Sequence, residues 1–479
     1  MSVARFIARA TLRWRADPLT HNGTRWSTVP LSTLMEFANQ VARQLAIAIQ
    51  QGRIEEEALV QRIREHCLGR QRWLRSFARR FVAHFGEGRR WRRLRMERFI
   101  LKDAGFRRAV AMSQLSLRSG INPAPGMCPA AGAPEHWKLP ELATTGDLAR
   151  WLNLEPGELA WFSDSRTQEQ TLPEGPLRHY RYHWVLKRGG SARLLECPKQ
   201  RLKLFQRHVL FQLLNRIPIH PAAHGFQAGR SVQSFAQPHV GREIVMRLDL
   251  QDFFPSVMKS RVLAIFLTAG YPEPVAAMLA GLCTNASPFA VLSSCPATVH
   301  PTQRCHLKDL YRRPHLPQGA PTSAALANLA AFRLDLRLHG LAKAAGAAYT
   351  RYADDLVFSG DSAFARMVER FYIQVCAIAL EEGFAVQTRK TRMMRRSVSQ
   401  RAVGLVLNDR LNTPRREFDC LKAILHNCVV QGVAAQNRAD HPRFKEHLAG
   451  RIAYMESINP GRGIRLRRDF DRIIWPDPT

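Results

Sequence analysis

The sequence predicts an α+β fold, and three observations lead to it. Residues 33–60 repeat apolar side chains at helical spacing, with Leu34, Phe37, Val41, Leu45 and Ile49 on one face. The middle of the chain changes to strand texture. Residues 182–187 and 192–198 alternate around a Lys187-Arg188-Gly189-Gly190 turn, and apolar strands run through 245–249 and 351–358. From Pro414 onward the pattern is helical again. The expected organisation is a basic helical domain at 1–120, a Pro/Gly/Ala linker at 121–142, a strand-bearing region at 143–410 and a helical region at 411–479.

Composition narrows the function. The chain has 479 residues, room for two or three domains, and a net charge of +32 from 71 Lys plus Arg against 39 Asp plus Glu. A surplus of that size asks for a polyanionic partner, nucleic acid before an anionic membrane surface. Nine cysteines without regular spacing suit a reducing cytosol better than a disulfide framework. The first residues lack a secretory signal, and no run approaches about 18 apolar residues. The expectation is a soluble cytoplasmic protein that handles nucleic acid and has no membrane partner.

The most basic stretch lies in the first domain. Between Arg62 and Arg108 stand sixteen Lys plus Arg and four acids, with Trp73, Phe77, Phe81, Phe85, Trp91, Phe99 and Phe106 interleaved. Phe77, Phe81 and Phe85 recur every four residues and share one helix face. One helix can bury these rings and turn its arginines, Arg89, Arg90, Arg92 and Arg93 foremost, toward a nucleic-acid backbone. After the linker, Thr145-Gly146-Asp147 opens a capped helix. The hairpin at 182–198 leads into a helix from Lys199 whose first turns carry Lys199, Arg201, Lys203 and Arg207, cations able to hold a triphosphate.

Acids carry the chemistry. The strand 245–249 ends in Asp249 and is followed by Phe253, Phe254 and Pro255. A second strand holds Arg351-Tyr352-Ala353-Asp354-Asp355-Leu356-Val357-Phe358, and burying two adjacent unpaired carboxylates would be expensive. A tight hairpin presenting both to a divalent cation removes that cost, because hard cations take oxygen ligands. Carboxylates converging from two strands suit two-metal phosphoryl transfer, with ions about 3.5–4 Å apart. Between them, residues 283–313 read as irregular. Their Cys283, Cys295, Cys305 and His306 are spaced too widely for a tight zinc site and read as loop residues. Leu316-Pro317-Gln318-Gly319-Ala320-Pro321-Thr322-Ser323 then opens one long helix over 324–345. A helix over 364–382, short strands at 383–386 and 402–408, and a basic run at 389–401 complete the region.

Four ordered motifs over about 180–410 resemble a reverse transcriptase. They are the fingers motif His224-Gly225-Phe226 through Gly229-Arg230-Ser231, the strand Arg247-Leu248-Asp249-Leu250-Gln251-Asp252-Phe253-Phe254, the Leu316–Ser323 loop, and Tyr352-Ala353-Asp354-Asp355. The set is similar to bacterial retron-type enzymes, with an extended N-terminal region. It departs from them at Phe235, where Asn is usual, and at Ala402-Val403-Gly404, where Val-Thr-Gly is usual. The resemblance implies a right-hand polymerase fold: fingers, a palm with an antiparallel sheet, and a helical thumb, behind an N-terminal helical domain.

It also implies roles. Asp249, Asp354 and Asp355, with the Leu250 carbonyl, would bind two Mg²⁺ ions, Mn²⁺ being the substitute. Phe254 would lie under the incoming sugar and exclude a 2′-hydroxyl. Gln318 would contact the nucleotide, Lys203 its triphosphate, and Lys390 would protonate pyrophosphate. Arg230 and Gly319 would contact nucleic acid. The implied partners are a structured non-coding RNA template, the RNA–DNA product, dNTPs and an effector or toxin protein. Priming from an RNA 2′-hydroxyl and defence against phage come with the retron kinship. The departures leave open a non-retron defence, abortive-infection or group II intron-like enzyme. A polymerase-like fold that only binds RNA is the alternative of another class.

Overall fold

The computed structural model describes residues 31–50, 54–68, 72–86, 93–111, 116–117, 137–187 and 190–475. The chain divides into two compact units, Met1–Pro125 and Gly126–Thr479. Among the described residues, no helix is long and apolar enough to cross a membrane.

The first unit is built from α1 (Leu31–Gln50), α2 (Glu56–His66), α3 (Leu74–Phe85), α4 (Arg93–Lys102) and α5 (Ala104–Ala111), with β1 (Cys67–Leu68) pairing antiparallel to β2 (Ser116–Leu117). The single helix expected over 33–60 is two, since Ile54 and Glu55 belong to neither. The aromatic face of α3 is the core. Phe77, Phe81 and Phe85 are buried, with ring centroids 5.6 and 4.4 Å apart along the helix, and Phe99 of α4 stacks edge-on against Phe81 at 5.4 Å. Opposite that stripe, Arg79 bonds Glu56, and Arg80 bonds the buried Asp103. Arg89, Arg90 and Arg92 lie outside the described residues; Arg93 is the first residue of α4.

The second unit begins with α6 (Thr145–Trp151), whose cap is reciprocal: the Thr144 hydroxyl accepts from the Asp147 N–H while Asp147 accepts from the Thr144 N–H. Next come α7 (Pro156–Phe162), the antiparallel hairpin β3 (Tyr180–Leu186) and β4 (Ala192–Pro198), α8 (Gln200–Gln212) and α9 (Val232–Ala236). Then follow β5 (Ile244–Asp249), α10 (Lys259–Thr268), α11 (Glu273–Cys283), α12 (Phe289–Ser293), α13 (Pro301–Arg312), α14 (Ser323–Ala330) and α15 (Phe332–Ala344). The remainder is β6 (Ala348–Tyr352), β7 (Asp355–Gly360), α16 (Ser362–Glu381), β8 (Arg392–Arg395), the pair β9 (Arg401–Ala402) and β10 (Leu405–Val406), and the helices α17 (Arg415–Gln431), α18 (Phe444–Ile458) and α19 (Pro460–Phe470).

One antiparallel sheet, in the order β6-β7-β5-β8, organises this unit. Successive strand residues point to opposite faces. Met246, Leu248, Leu356 and Phe358 enter the main core with residues from α10, α11 and α14 to α16, while Val245 and Val357 enter a smaller cluster with Phe235, Ala236, Ala402, Leu405 and Leu407. Both faces are therefore covered, and the acids sit at the end of the sheet. The last three helices close a core of their own around Leu421, Leu425, Leu448, Ile452 and Leu466.

Several local expectations are corrected. The helix over 324–345 breaks at Ala331, beside the Ala330 carbonyl that accepts from Arg261 at 2.8 Å. Residues 283–313 are not irregular but contain α12 and α13, which pack on the β3–β4 hairpin through Leu292, Cys295, Leu307 and Tyr311. The strand at 383–386 reduces to one bridge between Val386 and Leu250. The strand at 402–408 is instead the tiny β9–β10 hairpin, turned by Val403 and Gly404 at positive φ of 44° and 80°. The basic run at 389–401 hides β8, a full member of the main sheet.

His239 ties the sheet's edge. Its ring is fully buried, bonded to Ser359 Oγ at 2.6 Å and Thr350 Oγ1 at 2.7 Å, so it bridges β7 and β6. Burial pushes its pKa down to about 3. The folded protein therefore resists a proton that the unfolded chain accepts below about pH 6.5. Stability from this residue is full above that pH and is lost as pH falls, by about 2 kcal/mol between pH 6.5 and 5. His224, pushed down to about 4 by burial, adds in the same direction. Urea unfolding across pH 5–8 should show this slope, and His239→Gln should flatten it while lowering stability at pH 7.5.

Candidate active site

A two-residue turn, Ala353–Asp354, joins β6 to β7, and Tyr352 pairs with Asp355 across it. Ala353 takes a left-handed φ of 54°, an expensive conformation for a residue with a side chain. The surroundings enforce it. Arg351, wholly buried, donates from Nη1 to the Ala353 carbonyl at 3.0 Å and to Asn328 Oδ1 at 2.9 Å. Its Nε and Nη2 bond both oxygens of the equally buried Asp335 at 2.8 and 2.6 Å, and the Tyr349 hydroxyl adds a bond to Asp335 at 2.8 Å. Asn328 in turn donates to the Gly225 carbonyl at 2.9 Å. Gly225 lies so close to the turn that a Cβ there would stand 2.6 Å from the Ala353 nitrogen. The fingers-motif loop and the acid turn are thus one packed object, which accounts for a glycine at 225.

Strand register brings the third acid in. Asp249 is directly opposite Asp355, and the Leu250 N–H donates to the Asp354 carbonyl at 2.8 Å. Burial raises the pKa of Asp354, and the charges of Asp249 and Asp355 raise it further. Burial likewise raises that of Asp355, against the pull of Arg247, whose Nε bonds Asp355 Oδ1 at 2.8 Å. Lys390 Nζ sits 2.9 Å from each oxygen of Asp249. The acids therefore converge with too little positive charge, and side-chain cations fill part of the gap. A divalent cation with oxygen ligands fits such a cluster. Among the described residues, no group of three or more His, Cys, Asp or Glu side chains is already drawn together around a metal-sized space. The cysteines of 283–313 form none either: Cys283 and Cys295 are buried in apolar clusters, and Cys305 is exposed.

These distances stand beside a kinship in sequence. The model of the family "Reverse transcriptase (RNA-dependent DNA polymerase)" matches residues 185–418. The retron Mx65 reverse transcriptase of Myxococcus xanthus is 41% identical over 335 residues, covering 69% of this chain and 72% of that protein. The chain belongs to the retron-type reverse transcriptases. The retron Mx162 enzyme of the same organism is 35% identical, covering 68% of this chain and 66% of its own length. The retron Ec86 enzyme of Escherichia coli is 29% identical, covering 60% and 79%. This reverse transcriptase is an RNA-directed DNA polymerase, of a family that generally works with divalent metal ions.

The remaining expected site residues are distributed unevenly. The half-buried Phe254 follows β5 by a turn, with its ring 6.1 Å from that of Phe226, which itself is exposed at a positive φ of 62°. Gln318 and Gly319 run beside β4: the Glu196 N–H donates to the Gln318 carbonyl at 2.8 Å. Gly319 has φ of 133°, and a Cβ there would meet the Glu196 carbonyl at 2.9 Å. Arg230 is exposed beyond the Gly229 turn. Lys203 stands half-buried on α8, and no described contact ties it to the acids. Lys187, read from sequence as a turn residue, lies near enough to Asp252 and Asp249 to feel their charges. Burial lowers its pKa, as do Arg193 and Lys390, while Asp252 and Asp249 raise it. Its place at the end of β3, beside a Gly-Gly turn, was the available signal.

The Arg351–Asp335 pair should be costly to break, because a buried charge left without its partner is strongly destabilising. Asp335→Asn is expected to lower the unfolding free energy by about 3–5 kcal/mol in urea titration, with activity lost in parallel.

Proposed function

We propose that this reverse transcriptase copies part of a structured non-coding RNA into single-stranded DNA by two-metal nucleotidyl transfer. Asp249, Asp354, Asp355 and the Leu250 carbonyl are the ligand set in this reading. The observation that carries it is the convergence of three carboxylates at one sheet end, two of them with raised pKa values and two already engaged by protein cations. Two divalent cations, Mg²⁺ with Mn²⁺ as substitute, would activate the attacking 3′ oxygen and neutralise the leaving pyrophosphate. Closing the set requires Asp249 to give up Lys390, which then stands free to hand a proton to pyrophosphate. Arg247 keeps Asp355 oriented meanwhile.

Substrate selection follows from the neighbouring residues. The Phe254 ring lies beneath the sugar and leaves no room for a 2′-hydroxyl, so dNTPs are preferred to rNTPs. Gln318 and Gly319 hold the nucleotide and template, Lys203 and Lys187 the triphosphate, and Arg230 the template backbone. The basic first unit, with Arg89, Arg90, Arg92 and Arg93, binds the RNA. In this reading the β3–β4 hairpin belongs to the fingers, the main sheet is the palm, and α17 to α19 are the thumb. The relatives carry the name of retron reverse transcriptases, and this reading adds a non-coding RNA template, 2′-hydroxyl priming, a partner effector and a role in phage defence.

The test combines the purified protein with the RNA encoded beside its gene, Mg²⁺ and labelled dNTPs. RNase-sensitive DNA synthesis is expected, and Asp354→Asn should abolish it. Because Asp354 is a desolvated charge among like charges, that variant should melt no lower than the wild type without metal. Wild-type incorporation by Asp354→Asn would overturn the reading. Phe254→Ala should raise rNTP use relative to dNTP by about 10–200-fold.

A further inference from the structure

Beneath the Gln318–Gly319 loop lies a buried polar cluster that no step above uses. Glu196 of β4 is fully buried, and so is His315, three residues before Gln318. Glu196 Oε2 faces His315 Nε2 at 2.8 Å. Its other oxygen accepts from Asn285 Nδ2 at 2.8 Å and Ser287 Oγ at 2.7 Å. Asn285 also donates to the Tyr182 hydroxyl, which donates to the buried Glu169 at 2.8 Å. The backbones interlock as well. His315 and Asn285 exchange both N–H···O bonds at 2.9 Å, and Leu316 donates to the Val257 carbonyl at 3.0 Å.

The two ring nitrogens of His315 both face acceptors, since Nδ1 lies 2.6 Å from the Arg313 carbonyl. Two acceptors favour a ring that donates from both nitrogens: burial works against that proton, but Glu196 and the Arg313 carbonyl outweigh it and raise the His315 pKa. A buried pair of this kind contributes little net stability against an apolar replacement. What it fixes is geometry. The same residue, Glu196, holds the His315 end of the segment with its side chain and the Gln318 end with its backbone. The strand that carries Glu196 also carries Arg193, three residues earlier and near Lys187.

We propose that the Glu196–His315 pair is a positioning device for nucleotide recognition, locking the Gln318–Gly319 loop to β4 so that Gln318 and the cations of the β3–β4 hairpin meet one incoming dNTP together. Glu196 and His315 do not touch the nucleotide; they act through Gln318. The inference rests on Gln318 being a nucleotide contact.

The test is steady-state incorporation on a fixed primer–template, with active-site titration to correct for misfolded protein. Glu196→Ala should raise the KM for dNTP about tenfold and change kcat less than about threefold. Its Kd for primer–template should stay at the wild-type value. Glu196→Gln should be close to wild type, because the amide can donate to a neutral His315 Nε2 while its oxygen accepts from Asn285 and Ser287. His315→Gln should raise KM in the same direction as Glu196→Ala, and carries the test if that variant does not fold. Gln318→Ala should raise KM too, and adding Glu196→Ala to it should give less than the product of the two effects. If Gln318→Ala raises KM but Glu196→Ala and His315→Gln alter only the active fraction or kcat, the positioning role is overturned and the nucleotide reading stands. If Gln318→Ala leaves KM unchanged, the nucleotide contact itself is wrong.

Discussion

Arg351 has no exposed surface, and its guanidinium is shared among Asp335, Asn328 and the Ala353 carbonyl. Taking that charge out of water gains little by itself, since desolvation offsets most of the attraction. It yields position instead. A planar fork bonded bidentately to a carboxylate has few alternative geometries. From Asp335 on α15 the constraint passes to the acid turn, through Asn328 to Gly225, and through the Arg351 backbone to Ala222 and His224. A strained residue at 353 persists because all of these neighbours over-determine it.

The second constraint is charge. Three carboxylates at one sheet end repel one another and lose water, and the raised pKa values of Asp354 and Asp355 express both costs. Lys390 and Arg247 offset part of them in the protein alone. Their different exposures are informative. Lys390 is 59% exposed and compact, while Arg247 is 34% exposed and anchored in mid-strand. In the proposed two-metal reading, a lysine that borders solvent would leave Asp249 to the incoming cation. An arginine anchored within β5 would stay on Asp355 and, in the same reading, orient it rather than move protons.

The acids were legible in the sequence because their chemistry is local: apolar strands ending in Asp249 and Asp354-Asp355 have few structural reasons to exist. The aromatic stripe of α3 was legible for the same reason of period. What escaped were features decided by distant partners. Strand β8 carries Arg392 and Arg395 in a stretch whose only sequence signal is its cations, and its pairing with β5 makes it a strand. Beside the break at Ala331, the Ala330 carbonyl accepts from Arg261, some 70 residues earlier. Helices α12 and α13 were masked by Pro, Cys and His, yet they back the β3–β4 hairpin through Tyr311 and Leu307. Lys203 stood out by its neighbours in sequence, whereas Lys187 comes within reach of the Asp252 and Asp249 charges by the fold of a hairpin.

The departures at Phe235 and Val403 are best understood through packing. Phe235 is fully buried, its ring edge-on to Tyr352 at 5.7 Å, and its carbonyl accepts from Thr350 at 3.0 Å. A polar side chain at that position would need a partner of its own in an apolar cluster. Here the hydrogen bond to the hairpin comes from the backbone, so the side chain is free to be apolar. Val403 sits in the same cluster, at the turn of β9 and β10. A β-branched residue with positive φ is strained, and it is tolerated because its body covers the face of β5 and β7 opposite the main core. Phe235 and Val403 both put apolar rather than polar side chains into the cluster that packs against Tyr352. They lie on the face of the sheet that supports the acid turn and make no described contact with the three carboxylates.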